Sequence, residues 1–232
     1  LYNDKVCLFH KGDHLIVDGI TGKILTQTSI VDNIPTSIFA EEKESDQRAD
    51  LRVGKNKRMI TQTSNLLVGK YHYFRSYVRA WLGRVNVETG QVQYLELPLQ
   101  INARPETEDQ YLYFDQSEGA KQLKEQTVTP NSMKNSRGLT VFGDKRSKGS
   151  GWGHIASATP TVAGEHLYVP VMNGTVFVIR WNASSLDARA VVEINDLGSA
   201  GESYHRASLS FSEGRIFAHT IRELICIKSD EE

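Results

Sequence analysis

Cysteine is almost absent from this chain. Only Cys7 and Cys226 occur among the 232 residues, and each lies among apolar or β-branched residues. A free cysteine packs like a small hydrophobic side chain, so we expect two buried thiols, with a disulfide between them as the alternative. Because no Cys-x-x-Cys pair occurs, the corresponding metal and redox motifs are excluded.

Excess charge and long apolar runs are also missing. The 27 Lys and Arg residues nearly balance the 28 Asp and Glu residues, which leaves a formal net charge of -1. This balance gives no general electrostatic reason to expect nucleic acid or an anionic membrane as partner. No run approaches the roughly 18 apolar residues of a membrane span, and the first residues lack the layout of a secretion signal. We expect a soluble chain, and an upstream signal removed by processing is compatible with it.

Motifs for metal and phosphate chemistry are missing as well. The seven His residues form no His-Glu-x-x-His motif, and no Asp-x-Asp-x-Asp-Gly calcium loop occurs. His10 and His14 are four residues apart, but the sequence HKGDH predicts a polar turn between strands. The Gly-rich stretch Asp144 to Gly153 precedes a strand pattern rather than a helix, so it does not predict a phosphate-binding loop. We expect no bound metal and no cofactor.

Alternating apolar residues are the strongest positive signal. Four short strands rich in Val, Ile, Tyr and Phe are predicted between Ser157 and Ile194. Asn173-Gly174 predicts a hairpin with a type I′ turn, because both central residues of that turn need positive φ. Pro160 and Pro170 are expected at strand ends. The segment therefore predicts a four-stranded antiparallel meander.

The meander repeats along the chain. Gly214 follows Gly164 by 50 residues and has the same place between the first and second strands, and Gly69 has that place in an earlier unit. Four repeats can be recognised, of which the first lacks its opening strand and the last its closing strand. Four-stranded units repeated about every 40 to 50 residues predict an all-β fold, a β-propeller in which each unit is one blade.

The predicted blades are part of a larger assembly. A blade cannot cover both of its faces alone, so about four blades in this chain are expected to belong to a ring of seven or eight, with a closed four-bladed ring as the alternative. The propeller covers residues 1–232, with long insertions at 34–58 and 102–151. Both insertions connect a fourth strand to a first strand, which predicts that they lie on one face. Insertions of this length are functional or disordered.

Two turns resemble a known repeat. In VDGITGKIL and VNVETGQVQY a Thr-Gly turn follows an apolar strand, with Asp18 or Asn86 three residues before the Thr. This resembles the pyrroloquinoline-quinone-like, or quinoprotein-like, β-propeller family, in which a Trp follows four residues after the Gly. Thr26 and Tyr94 stand at those positions here. The segment SATPTVAGEHLYV is similar to the first and second strands of the family's repeat.

The resemblance implies a fold more than an activity, because the family holds quinone-dependent dehydrogenases, a lipoprotein scaffold of outer-membrane protein assembly and many secreted proteins. A quinone-dependent dehydrogenase of this family would need adjacent cysteines and a calcium site, and neither motif occurs. The resemblance therefore implies a non-catalytic binding or assembly scaffold, periplasmic or secreted. The alternative is an enzyme domain, either a quinone-dependent oxidoreductase or a hydrolase acting on a sugar-like substrate.

The repeat register brings five candidate ligand-binding residues together. His154 lies ten residues before Gly164, and Tyr204 lies ten residues before Gly214, so both precede the innermost strand of consecutive blades. The predicted rim of the channel mouth consists of Trp152, His154, Tyr204, His205 and Arg206. Aromatic, imidazole and guanidinium groups suit a polar, anionic or sugar-like ligand. A purely structural role, in which the rings cover the blade ends, is the alternative.

These residues define the expected partners. They are a protein or a polar small molecule or glycan at the channel mouth, together with the remainder of the propeller ring. No catalytic residue is assigned, and neither nucleic acid nor a membrane span is expected.

Overall fold

Regular structure in this protein is almost entirely β-strand. The computed structural model describes residues 1–38, 48–49, 61–76, 81–97, 102–103, 110–111, 158–171, 174–197, 207–220 and 223–228. Within these ranges the one helical element is a 3-10 turn at Ala188–Ala190, and all other elements are strands. The all-β prediction is confirmed.

Blade 1 has three antiparallel strands in the order β1-β2-β3. These are β1 (Lys5–His10), β2 (Asp13–Asp18) and β3 (Ile24–Ser29). Lys11 has positive φ in the turn between β1 and β2, so the turn predicted from HKGDH is present. As the repeat predicts, the described part of this blade has three strands rather than four.

Blade 2 is a four-stranded antiparallel sheet to which the preceding segment adds two strands. The order is β5-β4-β9-β8-β7-β6. The strands are β4 (Ile34–Ile38), β5 (Arg48–Ala49), β6 (Thr61–Val68), β7 (Tyr71–Ser76), β8 (Trp81–Asn86) and β9 (Val92–Glu96). β4 lies parallel to β9, with Thr36 opposite Tyr94, and β5 pairs with β4.

β4 changes the interpretation of the first insertion. Residues 34–58 were predicted as a long insertion between blades, yet the insertion begins with a strand that joins blade 2. Ile34 is 5% exposed and packs between blades 1 and 2. The outer edge of β9 also offers unpaired main-chain groups, which a neighbouring strand can satisfy. A short pair, β10 (Asn102–Ala103) with β11 (Gln110–Tyr111), belongs to the second insertion.

Blade 3 has the complete four-stranded order β12-β13-β14-β15. The strands are β12 (Thr161–Ala163), β13 (His166–Pro170), β14 (Thr175–Arg180) and β15 (Val191–Asp196). Pro160 precedes β12 and Pro170 ends β13, as predicted. The hairpin predicted from Asn173-Gly174 is also present. However, Gly174 N–H donates to the carbonyl of Val171, which makes Gly174 the last residue of a four-residue turn rather than a central residue of a type I′ turn.

Blade 4 has three described strands in the order β16-β17-β18. They are β16 (Ser210–Ser212), β17 (Arg215–His219) and β18 (Leu224–Lys228). The glycine expected between the first and second strands has positive φ in each of blades 2, 3 and 4, at Gly69, Gly164 and Gly214 (51°, 57° and 71°). These turns require a left-handed residue, which explains why glycine recurs there.

Apolar layers join the blades in chain order. Side chains alternate along a strand, so on β7 Phe74 packs toward blade 1 while Tyr73 packs toward blade 3. Phe177, Ile179 and Leu167 complete the layer between blades 2 and 3, and a third layer around Leu209 and Ala218 joins blades 3 and 4. Blades 2 and 3 are thus covered on both faces by their neighbours, as a propeller requires.

Each sheet has two ends with different connections. The turn end of blade 2 carries Gly69 and Gly90, at the β6–β7 and β8–β9 turns, and the insertion end lies at the opposite ends of these strands. Ile38 pairs with Glu96, so β4 and β9 finish side by side at the insertion end. The prediction that both insertions lie on one face stays a prediction, because most of their residues lie outside the described ranges.

Candidate functional site

The predicted rim at the channel mouth lies outside the described residues. This applies to all five candidates, Trp152, His154, Tyr204, His205 and Arg206. Their shared position therefore stays a prediction. The described residues that directly follow them, at 158–160 and 207–209, carry the geometry that bears on it.

The segments that lead into β12 and β16 are hydrogen-bonded to each other. Thr159 N–H donates to Ser208 Oγ at 3.0 Å, and Ala158 and Leu209 are both 4% exposed. Because β12 and β16 are the first strands of blades 3 and 4, this bond joins equivalent segments of consecutive blades. The repeat register from which the rim was predicted is therefore present immediately beside it.

Arg75 is a buried cation at the same end. It lies near the end of β7, is 4% exposed, and donates through Nη1 to the carbonyls of Pro170 (2.6 Å) and Ala158 (3.4 Å). Burial lowers the pKa of its guanidinium to about 10, so it is still charged at neutral pH. A fixed positive charge thus lies directly under the segment that leads into blade 3.

The two Thr-Gly turns are each closed by the side chain of the polar residue three positions before the Thr. Asp18 Oδ1 accepts from the main-chain N–H groups of Ile20 (3.0 Å) and Thr21 (2.7 Å), and Gly22 has a φ of 70°. These hydrogen bonds hold the pKa of the Asp18 carboxyl below its usual value. Asn86 closes the equivalent turn of blade 2 through Oδ1.

Tyr94 and Trp181 each contact a neighbouring blade. Tyr94, at the family's Trp position, is 1% exposed and donates its hydroxyl to the carbonyl of Ile30 at 2.5 Å. Thr26, at the equivalent position of blade 1, is exposed. In blade 3, Trp181 donates Nε1–H to the carbonyl of Gly164 at 3.1 Å.

The ring of Trp181 lies against Gly69 of blade 2. A Cβ atom built at Gly69 would lie 2.9 Å from Cζ3 of that ring, so a glycine is required there for contact as well as for its positive φ. The turn ends of blades 2 and 3 are therefore held in direct contact.

A second contact between blades 2 and 3 is the Arg84 latch, formed by Arg84, Gln93 and the carbonyls of Ala183 and Ser184. Arg84 is 1% exposed and donates twice to Gln93 Oε1, from Nε at 2.9 Å and Nη2 at 2.7 Å. Its guanidinium also donates to Ala183 O (2.7 Å) and Ser184 O (3.1 Å) across the blade interface. It lies 4.2 Å from the ring centre of Tyr71, within cation–π range.

Blades 1 and 2 meet at a buried imidazole pair. His14 Nε2 lies 3.0 Å from His72 Nδ1, and His72 Nε2 lies 2.8 Å from Asn65 Oδ1. The ring of Phe9 contacts both imidazoles, with centroid distances of 5.1 Å to His14 and 4.6 Å to His72. Since His14 is 1% exposed, the prediction that it belongs to a polar turn is wrong for its side chain, which points into the interface instead.

The described residues contain no group of three or more His, Cys, Asp or Glu placed to hold a metal ion. Nor do they include a helix long and apolar enough to cross a membrane. Cys7 and Cys226 are both free thiols, so the alternative of a disulfide is wrong. Cys226 is exposed on β18, which corrects the prediction that both are buried, because its side chain lies on the face of blade 4 turned away from blade 3.

The similarity of the chain to known proteins is distant. No protein-family model and no curated protein matches the chain. Among solved structures it is similar to the computationally designed Ika4 protein, with 9% identity, a TM-score of 0.41, and coverage of 98% of this chain and 87% of that one.

Two further solved structures are similar to the chain. BamB from Moraxella catarrhalis has 14% identity and a TM-score of 0.27, with 100% of this chain and 69% of that one covered. The Cps50 (Swd1) β-propeller domain of Myceliophteria thermophila has 13% identity and a TM-score of 0.32, with 94% and 59% covered. The fold is a partial β-propeller. That assignment rests on the strand order within the blades and on the contacts between blades, because structural similarity this low carries no argument.

Sequence reasoning missed four buried polar side chains, His14, His72, Arg75 and Arg84. A signal was present for three of them, because YHYFRS and WLGRVN place a His or Arg within strands of large apolar residues. Such a residue in a fully covered strand must find a partner across a blade interface. His14 had no comparable signal, since it follows a polar turn directly.

Proposed function

We propose that the chain is a non-catalytic, quinoprotein-like β-propeller that acts as a binding or assembly scaffold, with its contact surface at the insertion end. The observation that carries the proposal is the bond from Thr159 N–H to Ser208 Oγ. It holds together the two segments that follow the predicted rim residues, with Arg206 only two residues before Ser208. A rim shared by blades 3 and 4 is the arrangement that this contact favours.

The charge at this end favours a polar or anionic ligand. Arg75 stays cationic beneath Ala158, where the low dielectric of the interior strengthens its field. Arg206 would add a guanidinium able to form paired hydrogen bonds with a carboxylate, sulfate or phosphate. Trp152 and Tyr204 would supply the faces on which sugar rings stack. We therefore propose an acidic glycan, or an acidic segment of a protein, as the partner.

A scaffold rather than an enzyme is supported by how the buried polar groups are used. Arg84, Arg75 and the imidazole pair all bond to main chain or side chains of a neighbouring blade. The Asp18 and Asn86 turns support the likeness to quinoprotein-like repeats, and a periplasmic or secreted location follows from that likeness alone.

Binding to an array of neutral, uronate-bearing and sulfated oligosaccharides tests the proposal. We expect the full chain to bind acidic oligosaccharides. Arg206→Ala should raise the dissociation constant about tenfold or more, because a charged hydrogen bond contributes about 1.5–3 kcal/mol. Arg180→Ala is the matched control. Arg180 is exposed at the last residue of β14, at the turn end of blade 3, so its removal is expected to leave binding unchanged.

Three results would overturn this assignment. Equal losses in both variants would place binding away from the rim, and an array without any bound oligosaccharide would remove the acidic glycan as ligand. Binding of pyrroloquinoline quinone with Ca²⁺, accompanied by oxidation of an alcohol or sugar, would favour the enzyme alternative.

A further inference from the structure

The imidazole pair between blades 1 and 2 is built for neutral rings. Asn65 Oδ1 is an acceptor, so His72 must carry its proton on Nε2 to make the 2.8 Å bond. That tautomer leaves Nδ1 of His72 as an acceptor, and the 3.0 Å contact then requires His14 to donate from Nε2. One chain of hydrogen bonds, from His14 through His72 to Asn65, therefore joins the two blades while both rings are uncharged.

Among the described residues, the side chains packed around the pair offer an added proton no counter-ion. Phe9 on β1 covers both rings, and Thr28 on β3 lies opposite His14 in the ladder. Asp13 is the neighbouring residue on β2, but side chains alternate along the strand, and its carboxylate accepts from Gln27 Nε2 at 2.7 Å.

We propose that the His14–His72 pair makes the junction of blades 1 and 2 acid-sensitive, so that blade 1 separates from blade 2 when the imidazoles become protonated. This contact is distinct from the insertion end and does not depend on the ligand proposed there. A protonated His72 would direct an N–H group at the N–H group of His14. A protonated His14 would place an unpaired charge against Phe9.

The pH range follows from the direction of the shifts. Burial lowers the pKa of His14 to about 4, and burial together with the charge of His14 lowers that of His72 to about 3. An opened junction returns both groups to about 6.5, so it binds more protons than the closed one at any pH below that value. The stabilising contribution is therefore complete above about pH 6.5 and declines as the pH falls toward 4 and then 3.

Hydrogen exchange of the full chain at pH 7.5 and pH 4.5, corrected for the intrinsic pH dependence of exchange, tests the proposal. We expect protection of residues 5–18 to fall about tenfold or more in acid relative to residues 166–180, because each pKa difference of one unit changes the opening equilibrium about tenfold. The free thiols give a second readout. Cys7 lies two residues before Phe9 on the face toward blade 2, and an acid-active disulfide reagent should reach it faster at pH 4.5, measured against exposed Cys226.

His14→Gln is the decisive variant, because the Gln amide can donate to His72 Nδ1 but does not titrate in this range. It should remove the share of the excess opening between pH 7.5 and 4.5 that His14 contributes and leave the share of His72, whereas His10→Gln, an exposed control on β1, should retain both shares. The proposal is overturned if wild-type blade 1 keeps its protection at pH 4.5, or if protection falls equally in all four blades. The same pH response in His14→Gln as in wild type would also overturn it. The wild-type experiment decides the matter even if the variant fails to fold.

Discussion

At the scale of single residues, Gly83 and the ring of Phe74 are in close contact in the core. A Cβ atom at Gly83 would lie 2.3 Å from Cζ of the Phe74 ring and 2.8 Å from Cε1. The Phe74 side chain is fully buried, so the ring cannot move without disturbing the layer between blades 1 and 2. Gly83 is therefore required for packing, not for a special backbone conformation.

Gly83→Ala is expected to lower the free energy of unfolding by about 1–3 kcal/mol, the usual cost of overpacking a core. Adding Phe74→Leu should offset part of this loss, because the smaller side chain leaves room for the new methyl group. Urea denaturation of wild type, both single variants and the double variant measures the coupling. If the two single losses simply add, the steric explanation is wrong.

Residue roles could be predicted from the sequence where the backbone alone determines them. The sequence predicts turns at Asp18, Asn86 and the turn glycines, where an Asx turn and a positive φ are local requirements. The roles of His14 and Tyr94 depend on which residues of the neighbouring blade pack against them. A single sequence does not show these contacts, because the partners are far apart along the chain. The requirement for glycine at position 83 could not be predicted either, because it comes from the ring of Phe74 on the neighbouring strand.

At the scale of elements, the Arg84 latch is the strongest polar connection between blades 2 and 3. The planar guanidinium donates to Gln93 from Nε and Nη2. It also donates from Nη1 to the carbonyl of Ala183 and from Nη2 to that of Ser184. A lysine has one nitrogen and cannot reproduce this geometry.

Arg84→Lys should lower the free energy of unfolding by about 1–3 kcal/mol, because it leaves two partly buried carbonyls and the Gln93 side chain without their donors. Arg180→Ala, an exposed arginine of blade 3, should change stability by less than about 0.5 kcal/mol. Thermal unfolding followed by circular dichroism compares the two. Equal effects of the two substitutions would mean that the latch adds nothing beyond an ordinary surface arginine.

Strand number and order were predicted well, since period-2 apolar runs separated by turn glycines determine them locally. The strand β4 was not predicted. Its sequence, IPTSI, contains a proline and precedes a charged stretch, so only the open edge of β9 explains why it is extended. Pairing partners of this kind are a property of the assembled sheet, not of the segment.

At the scale of the whole molecule, blades 2, 3 and 4 lie side by side in the same orientation, with their turn ends together and their insertion ends together. Trp181 contacts Gly69 at the turn ends, while Arg75 reaches Ala158 and Thr159 reaches Ser208 at the insertion ends. Blade 1 is placed differently. Thr28, near the end of β3, lies beside Gly90 at the turn end of blade 2, and β4 then carries the chain back toward the insertion end.

This placement of blade 1 could not be predicted, because the repeat pattern implies equal spacing and orientation for every unit. Blade 1 departs from the regular spacing at its junction with blade 2. There the His14–His72 pair and β4 make the contacts between the blades. The regular part of the propeller therefore lies where the repeat register was used to predict a shared rim.

The proposed function depends most directly on the predicted rim, in which His154 of blade 3 and His205 of blade 4 are expected to meet at the insertion end. Spin labels at His154→Cys and His205→Cys, in a chain with both native cysteines changed to serine, measure the distance by electron paramagnetic resonance. Packed sheets lie about 10 Å apart and a six-residue strand spans about 20 Å. The account predicts a separation of about 10–20 Å for this pair and a longer one for His154→Cys with Glu165→Cys, across blade 3. A 154–205 distance above about 30 Å, or one as long as the 154–165 distance, would contradict it.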